Sequence, residues 1–341
     1  MITLLLTLPL AAALCDAGSA PEPPLSLKLL RVRRLRENAF YGDIAEHQGA
    51  LLAAFRDSTT HEGPGGKATI LRSTDEGETW RPAATLGVEG SSLFDPHFCA
   101  LADGRLMLNG GIRDNAGARW GSWVSFSNDG AVWARPEAIL AKDQWLWRAT
   151  PHRDGSAYGI VYGCPPGPRF SRLLKTRDGL GYSPVADLLA ENYPNEATIR
   201  FAPDGTAYLV HRIEEGSRHA LLGTSSPPYT EWTWKDLGRF IGGPNLLRLP
   251  TGQWVVGGRC TENPVHLQLG QLDAARGRYT PMLDLPSGGD CSYPGFLFRE
   301  GRLYVTYYSS HEGATSFYLA EIQPWPATNP PPPPARQQPG C

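Results

Sequence analysis

The sequence predicts an all-β fold, a six-bladed β-propeller, from a repeat and from the lack of helical periodicity. A glycine in a polar turn between two apolar runs recurs at intervals of 47 to 55 residues. These glycines are Gly49, Gly104, Gly155, Gly205, Gly252 and Gly301. Short alternating segments flank each turn, which is typical of strands. A repeat of about 50 residues built from strands indicates propeller blades.

Each repeat predicts four strands in a fixed order. In the fourth repeat, a strand at residues 197–201 precedes the glycine turn at 203–205, and strands at 206–211 and 219–223 follow. Because the first two strands are antiparallel, the start of the first and the end of the second lie on one face of the disc. Side chains at those two positions should therefore converge on a central pocket.

A second turn recurs between the third and fourth strands, at residues 74–80, 127–133 and 176–182. It has the form Ser/Thr-x-acid-Gly-x-x-aromatic. The acid bonds the turn backbone, the glycine takes a positive φ, and the aromatic ring packs between sheets. We interpret these turns as structural, on the face opposite the pocket.

The 341 residues predict four segments: a signal peptide at 1–20, a linker at 21–37, the propeller at 38–323 and a proline-rich tail at 324–341. The apolar run at 2–14 is too short to span a bilayer and is followed by small residues. We therefore expect no transmembrane span, and export to the periplasm, the medium or the cell surface. A lipid anchor on Cys15 is the less favoured alternative because Leu14 precedes it.

A net charge of −2 with both signs scattered argues against a nucleic-acid partner. The six cysteines form no CxxC motif and no metal-type cluster, so we expect no metal and no cofactor. Cys260 and Cys291 could pair between blades, but we favour two buried thiols.

The repeat sends a defined set of side chains toward the pocket. First-strand starts contribute Asp43, Asp95, Trp147, Arg148, Glu196, Asn245 and Tyr293. Second-strand ends contribute Arg56, Tyr162, Arg212, Arg259 and Tyr308. Arginines gathered around one axis repel each other unless an anion or carboxylate partners offset them. The arginines therefore favour an anionic ligand.

The sequence resembles the sialidase superfamily at three places. The turn Ser-Thr-Asp-Glu-Gly-Glu-Thr-Trp at residues 73–80 matches the Asp-box of that group. Glu196 followed by Arg212 is similar to the segment with the catalytic glutamate and one arginine of the carboxylate-binding triad. Tyr293 lies in a segment similar to the one that carries the nucleophilic tyrosine, and Arg259 falls where a further triad arginine could lie.

The resemblance implies an exo-glycoside hydrolase that acts on a terminal sugar, and the arginines favour an acidic one. Tyr293 would attack the anomeric carbon, Glu196 would take its proton, and Asp57 or Glu62, with His61 beside them, would protonate the leaving oxygen. One departure is clear, because the motif that supplies the first triad arginine appears at residues 40–43 as Phe-Tyr-Gly-Asp. Arg56 is the candidate replacement.

Two alternatives remain open on the sequence. Asp43, Asp95 and Glu196 could form a carboxylate set that hydrolyses a neutral sugar, as in the similar Asp-Pro and Glu motifs of five-bladed fructosidases and arabinanases. The chain could also be a glycan-binding propeller without catalysis, in which Trp145, Trp147, Tyr162 and Tyr308 stack on sugar rings.

Export predicts a processed N-terminus. Mass spectrometry of the protein from its native host should show a chain that begins near residue 21, because small residues end the apolar run at Ala20. A lipid on Cys15 would support the anchored alternative, and an intact Met1 would exclude both.

Overall fold

A computed structural model describes residues 24–326, and all of the regular secondary-structure elements among them are β-strands. The strands form six four-stranded sheets, which confirms the predicted six-bladed propeller. The expected signal peptide, Cys15, and residues 327–341 of the expected tail lie outside the described range. No helix among the described residues has the length and apolar character needed to cross a bilayer.

The first three blades follow one another along the chain, each with its strands in sequence order. Blade 1 contains β2 (Ala39–His47), β3 (Ala50–Asp57), β4 (Lys67–Ser73) and β5 (Arg81–Leu86). Blade 2 contains β6 (Ser91–Ala100), β7 (Leu106–Asp114), β8 (Trp120–Ser127) and β9 (Glu137–Ile139). Blade 3 contains β10 (Gln144–Pro151), β11 (Ala157–Gly163), β12 (Ser171–Thr176) and β13 (Tyr182–Leu189).

The last three blades complete the ring. Blade 4 contains β14 (Pro194–Phe201), β15 (Ala207–Ile213), β16 (Leu221–Ser225) and β17 (Thr233–Asp236). Blade 5 contains β18 (Gly242–Arg248), β19 (Trp254–Cys260), β20 (His266–Asp273) and β21 (Arg278–Leu285). Blade 6 contains β22 (Cys291–Arg299), β23 (Arg302–Ser309) and β24 (Ser316–Pro326), with β1 (Leu25–Glu37) as its fourth strand.

The first strand of each blade is innermost, as predicted. Contacts join β2 to β6, β6 to β10, β10 to β14, β14 to β18, β18 to β22, and β22 back to β2. Apolar side chains fill the space between neighbouring sheets. Leu52 and Ile70 of blade 1, for example, belong to one buried cluster with Leu93, Leu108 and Trp123 of blade 2.

The prediction of a linker at residues 21–37 is wrong for residues 25–37. Residues 25–37 form β1, which pairs antiparallel with β24 along its whole length. The N-terminal segment therefore closes the ring by supplying the outer strand of the last blade. The sequence concealed this strand because its outward positions carry arginine, and charged side chains are a usual protection for the edge of a sheet.

The three repeated outer turns share one hydrogen-bonded shape. In the first, the backbone N–H of Gly77 donates to Ser73 Oγ (2.8 Å), and Trp80 Nε1 donates to the carbonyl of Gly77 (3.0 Å). Gly77, Gly130 and Gly179 all have φ between 72° and 80°. These bonds satisfy the turn backbone locally, which supports the structural interpretation.

Blade 4 contains a fourth turn of this shape that the sequence pattern did not show. Tyr229 stands at the glycine position with a φ of 70°, and Trp232 Nε1 donates to its carbonyl (3.0 Å). A tyrosine in that conformation is unfavourable. The pattern search missed the turn because it required a glycine.

The cysteines in the described range, Cys99, Cys164, Cys260 and Cys291, are all buried free thiols. The favoured interpretation of Cys260 and Cys291 as unpaired thiols is therefore confirmed.

One buried carboxylate fixes the closing strand. Glu321 of β24 is 2% exposed and accepts hydrogen bonds from Arg31 (2.6 Å) and Arg33 (2.8 Å) of β1, while Arg302 of β23 lies 3.2 Å away. Arg31 also bonds Glu78 in the outer turn of blade 1 (2.5 Å). The cluster therefore ties the last blade to the first.

We predict that Glu321→Gln destabilises the propeller by about 2–3 kcal/mol, because arginines around a buried carboxylate lose the charge that offsets them. The free energy of unfolding in urea measures this. Glu78→Gln is the matched control, since Glu78 is 57% exposed and bonds the same arginines. A loss as large for Glu78→Gln as for Glu321→Gln would contradict a role for burial.

Candidate functional site

A β-bulge lies at the same level in the innermost strand of all six blades. The pairing of first and second strands shifts at Phe40/Gly42, Phe94/His97, Leu146/Ala149, Pro194/Ala197, Gly242/Asn245 and Ser292/Gly295. An extra residue in a strand bends it and changes the direction of the nearby side chains. The six bulges therefore form a ring at one end of the central axis.

The bulges turn four residues into the left-handed region of backbone space. Tyr41, Asp95, Gly243 and Tyr293 have φ values of 38°, 47°, 59° and 56°. This conformation is costly for residues other than glycine, by about 1 kcal/mol or more each. Its recurrence at three side chains on one pocket indicates that their direction matters to function.

The ring of bulges surrounds a pocket of about 340 Å³. Eight of the predicted site residues line it: Glu62, Asp95, Glu196, Tyr293, His61, Tyr162, Arg212 and Arg259. The described residues contain no cluster of three or more His, Cys, Asp or Glu side chains suited to a metal ion. The site is therefore a set of carboxylates, arginines and aromatic rings.

Tyr293, Glu196 and Arg212 form a chain of short hydrogen bonds at the centre of the site. Tyr293 Oη donates to Oε1 of Glu196 (2.5 Å), and Arg212 Nη1 donates to Oε2 (2.5 Å). The backbone N–H of Gly243 also donates to Oε2 (2.9 Å). Burial and the Glu196 carboxylate raise the pKa of Tyr293 well above its ordinary value. Tyr293 is thus a neutral phenol with a base in direct contact.

Arg212 is held by two carboxylates from opposite sides. Its other terminal nitrogen is paired with Glu214, and its side chain is 11% exposed. Burial alone lowers the pKa of a guanidinium, but Glu196, Tyr293 and Glu214 outweigh this and raise it. Arg212 therefore stays charged and holds Glu196 against Tyr293.

Asp95 projects from the bulge of blade 2 and is 5% exposed. Burial, and next to it the Glu196 charge, raise the pKa of its carboxyl well above the usual range. Asp95 is thus a buried carboxyl of the pocket lining that favours its protonated form more than a free aspartic acid does.

A second cluster lies on the side of the pocket formed by blades 1, 5 and 6. His61 Nδ1 donates to Oδ2 of Asp290 (2.5 Å), and Tyr308 Oη donates to Oδ1 (3.0 Å). Arg259 Nη1 lies 3.9 Å from Oδ1. Burial by itself raises the pKa of Asp290, but the bonds from His61 and Tyr308 and the charge of Arg259 hold it below its usual value.

Aromatic rings form the remaining wall. Trp145 lies between Trp120 (5.4 Å between ring centroids) and Tyr162 (6.5 Å, stacked). Gly111 makes room for Trp145, because a Cβ at that position would lie 1.9 Å from the indole ring. Such a surface suits the apolar face of a sugar ring.

Four predicted site residues lie on the axis beneath the pocket and not in its lining. Asp43 pairs with Arg148 (2.9 Å), while Arg148 and Asn245 both donate to the carbonyl of Pro294 (3.1 and 2.8 Å). Trp147 is fully buried and supports the Tyr293 ring from its edge (5.0 Å). The expectation that these four reach the pocket is wrong. Asp43 and Asn245 lie just past the bulges of their strands, which a count of repeat positions does not detect. Trp147 and Arg148 lie in the bulge of blade 3 but are buried among neighbouring side chains.

Three more predicted residues are placed elsewhere. Arg56 is fully buried, donates to the carbonyls of Leu93 (2.7 Å) and Gly63 (2.6 Å), and does not replace the missing triad arginine. Tyr308 is also fully buried, so it does not line the pocket, but it bonds Asp290 and its ring packs against those of Tyr293 (5.7 Å) and His61 (6.1 Å). Asp57 lies 3.6 Å from Arg36 of β1, away from the pocket, so it is excluded as the proton donor.

The sequence argument did not assign four lining residues to the site: Tyr41, Trp120, Tyr193 and Asn195. Trp145, which it named only as a stacking ring in the glycan-binding alternative, also lines the pocket. The sequence argument also missed Asp290 and Glu214, which hold lining residues in place. Sequence reasoning could have identified Tyr41, because it occupies the same bulge position in its blade as Asp95 and Tyr293 do in theirs. Its ring lies 5.1 Å from that of Tyr293, where the missing arginine was expected.

Comparison with known proteins places the fold among sialidase-like propellers. A protein of unknown function from Dyadobacter fermentans DSM 18053 has a TM-score of 0.77 at 18% identity, over 87% of this chain and 99% of that chain. Trypanosoma rangeli sialidase in complex with the inhibitor DANA has a TM-score of 0.66 at 14% identity, over 84% of this chain and 55% of its own. Phage phi92 endosialidase has a TM-score of 0.65 at 10% identity, over 86% and 69%.

No family model and no curated protein sequence matches the chain. The chain spans about half the length of the trypanosomal sialidase, at 55%. At these identities the likeness shows the fold, a sialidase-like six-bladed propeller, and leaves the activity to be argued from the site.

Proposed function

We propose that the protein is a retaining exo-glycoside hydrolase in which Tyr293 is the nucleophile and Glu196 its base. The observation that carries this proposal is the 2.5 Å bond from the Tyr293 phenol to Glu196, with Arg212 on the other carboxylate oxygen. A phenol with a raised pKa needs an adjacent base to attack carbon, and this arrangement supplies one. The sialidase-like fold supports the same reaction class.

In the first step Tyr293 Oη attacks the anomeric carbon while its proton passes to Oε1 of Glu196. The leaving oxygen takes a proton from an acid of the site, and the sugar becomes attached to Tyr293. In the second step water displaces the tyrosine and gives a proton to the acid that lost one in the first step, while the tyrosine recovers its own proton from Glu196. Two displacements at one carbon retain the anomeric configuration.

The shape of the site supports attack on a chain end. The pocket of about 340 Å³ is lined by the buried Asp95 carboxyl and, on the aromatic wall, by Trp120 and Trp145. A single sugar ring fits a space of this kind, and the rest of the glycan would extend to solvent. The alternative carboxylate set is not proposed, because Asp43 lies on the axis in a pair with Arg148.

Arg259 supports an acidic substituent on the sugar. Its side chain is 20% exposed, and its nearest carboxylate oxygen in the described range, on Asp290, is 3.9 Å away. Arg212 is already engaged by Glu196 and Glu214. Arg259 is therefore the arginine with donors to offer a substrate anion. We propose that the substrate glycans lie outside the cytoplasm, which is what the expected signal peptide favours.

Tyr293→Phe should abolish hydrolysis, with a loss of several orders of magnitude in kcat, because the nucleophile is removed while the ring is kept. A panel of 4-nitrophenyl glycosides of neutral and acidic sugars identifies the substrate. A 2-deoxy-2-fluoro or 3-fluoro analogue of that sugar should label Tyr293, as peptide mass spectrometry would show, and NMR should show retained configuration.

Tyr307→Phe is the matched control, since Tyr307 is a fully buried tyrosine of blade 6 whose hydroxyl bonds the carbonyl of Pro286 (2.9 Å) away from the site. Wild-type turnover by Tyr293→Phe would contradict the assignment of Tyr293 as the nucleophile. A wild-type protein that binds glycans but hydrolyses none would establish the binding-module alternative.

Arg259→Gln should raise KM about 10-fold or more for an acidic glycoside, since hydrogen bonds to charged groups contribute roughly 1.5 to 3 kcal/mol. The methyl ester of the same glycoside is the control, because it keeps the shape and removes the charge. An equal effect on acid and ester would show that Arg259 does not read the substrate charge.

A further inference from the structure

The proposed reaction needs a group that protonates the leaving oxygen, and neither of the two acids first considered suits that role. Asp57 lies outside the pocket, against Arg36. Glu62 lines the pocket but its side chain is 67% exposed and its carboxylate is drawn toward Arg113 (3.4 Å). A largely exposed carboxylate in such an ion pair is less suited to directed proton transfer than a group that is held in the pocket.

The place of the acid is fixed by the route of the leaving group. In an exo-acting enzyme the terminal sugar fills the base of the pocket, and the rest of the glycan leaves through the mouth. Asp95 lines the pocket but is only 5% exposed, so it is placed with the buried sugar and away from the mouth. The acid should instead stand between the buried nucleophile and solvent.

His61 occupies such a position. It lines the pocket, and its side chain is 37% exposed. Its Nδ1 is fixed by Asp290 (2.5 Å), and among residues 24–326 no hydrogen bond is formed by Nε2. The ring is clamped by Tyr41 (4.9 Å), Phe40 (5.8 Å) and Tyr308 (6.1 Å). The imidazole therefore has one committed nitrogen and one free nitrogen.

The backbone around His61 is held as well. Tyr41 Oη donates to the carbonyl of His61 (2.8 Å), so the tyrosine that replaces the expected arginine anchors the loop between β3 and β4. Asp290 is itself held by Tyr308 Oη (3.0 Å). A carboxylate on Nδ1 fixes the tautomer and orientation of a histidine and stabilises its cation.

We propose, on the basis of the proposed function, that His61 is the acid/base residue of the reaction and that Asp290 is its positioning residue. The imidazolium gives its Nε2 proton to the glycosidic oxygen as the C–O bond breaks and the bond to Tyr293 Oη forms. Neutral Nε2 then takes a proton from the water that attacks the anomeric carbon. The proton taken by Glu196 returns to Tyr293, so the site is restored.

Leaving groups of different acidity test the assignment within one variant. His61→Ala should lower kcat/KM by about 10² to 10⁴ for a methyl glycoside, whose leaving group needs a proton. For the 2,4-dinitrophenyl glycoside of the same sugar the loss should stay below about 10-fold, because that leaving group departs as an anion. The ratio is independent of the fraction of folded protein, since one preparation gives both numbers.

Azide supplies a second readout. The covalent intermediate of His61→Ala should accumulate with the dinitrophenyl substrate, because no base activates water. Sodium azide needs no base, so it should raise kcat and give a glycosyl azide of retained configuration. Glu62→Gln is the matched control on the same loop, and it should keep the wild-type dependence on the leaving group.

Asp290→Asn tests the positioning role through the same two leaving groups. Asp290 is the carboxylate bonded to Nδ1 of His61, and asparagine keeps the size of the side chain without its charge. The variant should lose about 10-fold or more in kcat for the methyl glycoside and much less for the dinitrophenyl glycoside, because only the first leaving group needs a proton from His61. Equal losses for both substrates would assign Asp290 a structural role only.

The outcomes separate the two proposals. Two results with an active wild type would overturn the His61 assignment and leave Tyr293 and Glu196 in place. The first is an equal loss for both leaving groups in His61→Ala. The second is a large loss for the methyl glycoside and a small one for the dinitrophenyl glycoside in Glu62→Gln instead. A wild type that cleaves no glycoside would overturn the proposed function, and this assignment with it.

Discussion

The bulge at the pocket end of each innermost strand is the constraint on which the rest of the site depends. A regular strand would point alternate side chains into the spaces between sheets, where apolar packing holds them. One additional residue per blade breaks that alternation at a single level and turns the side chain toward the axis. Tyr41, Asp95 and Tyr293 accept a left-handed backbone for this purpose. The cost is offset by rigid sheets on both sides of each bulge.

Two polar clusters lie on this ring, and in the proposed reaction each serves one group that exchanges a proton. Glu196 and Arg212 hold the Tyr293 phenol, and both oxygens of the Glu196 carboxylate accept hydrogen bonds. Asp290 holds the His61 ring. Each cluster therefore sets a carboxylate against the group to which the proposal assigns a proton transfer, where it fixes geometry and would stabilise the charge that develops. Tyr41 joins them, since its ring contacts Tyr293 and its hydroxyl bonds the His61 carbonyl.

The loss of the expected arginine at Tyr41 changes what the site can bind. A triad of arginines would present a strongly cationic wall, whereas this pocket offers Arg259 as the arginine with unengaged donors and keeps Arg212 between two glutamates. In the proposed reaction, recognition of the sugar would therefore depend more on the aromatic wall and on Asp95. The exposed charges of the rim contribute less, because water screens them.

The glycine repeat and the alternating strands by themselves determined the number of blades, the innermost strand and the face on which the site lies. They also selected Glu196, Tyr293, Arg212 and Arg259, because equivalent positions of successive blades recur at a nearly fixed interval in the sequence. Only the tertiary structure decided which side chain of each strand reaches the pocket, since a bulge shifts the alternation by a residue and leaves no mark in the apolar pattern. Asp43 was misplaced for this reason. The sequence argument missed Asp290 and β1 because their partners lie about 230 and 290 residues away in the chain. Sequence proximity carries no information about such contacts.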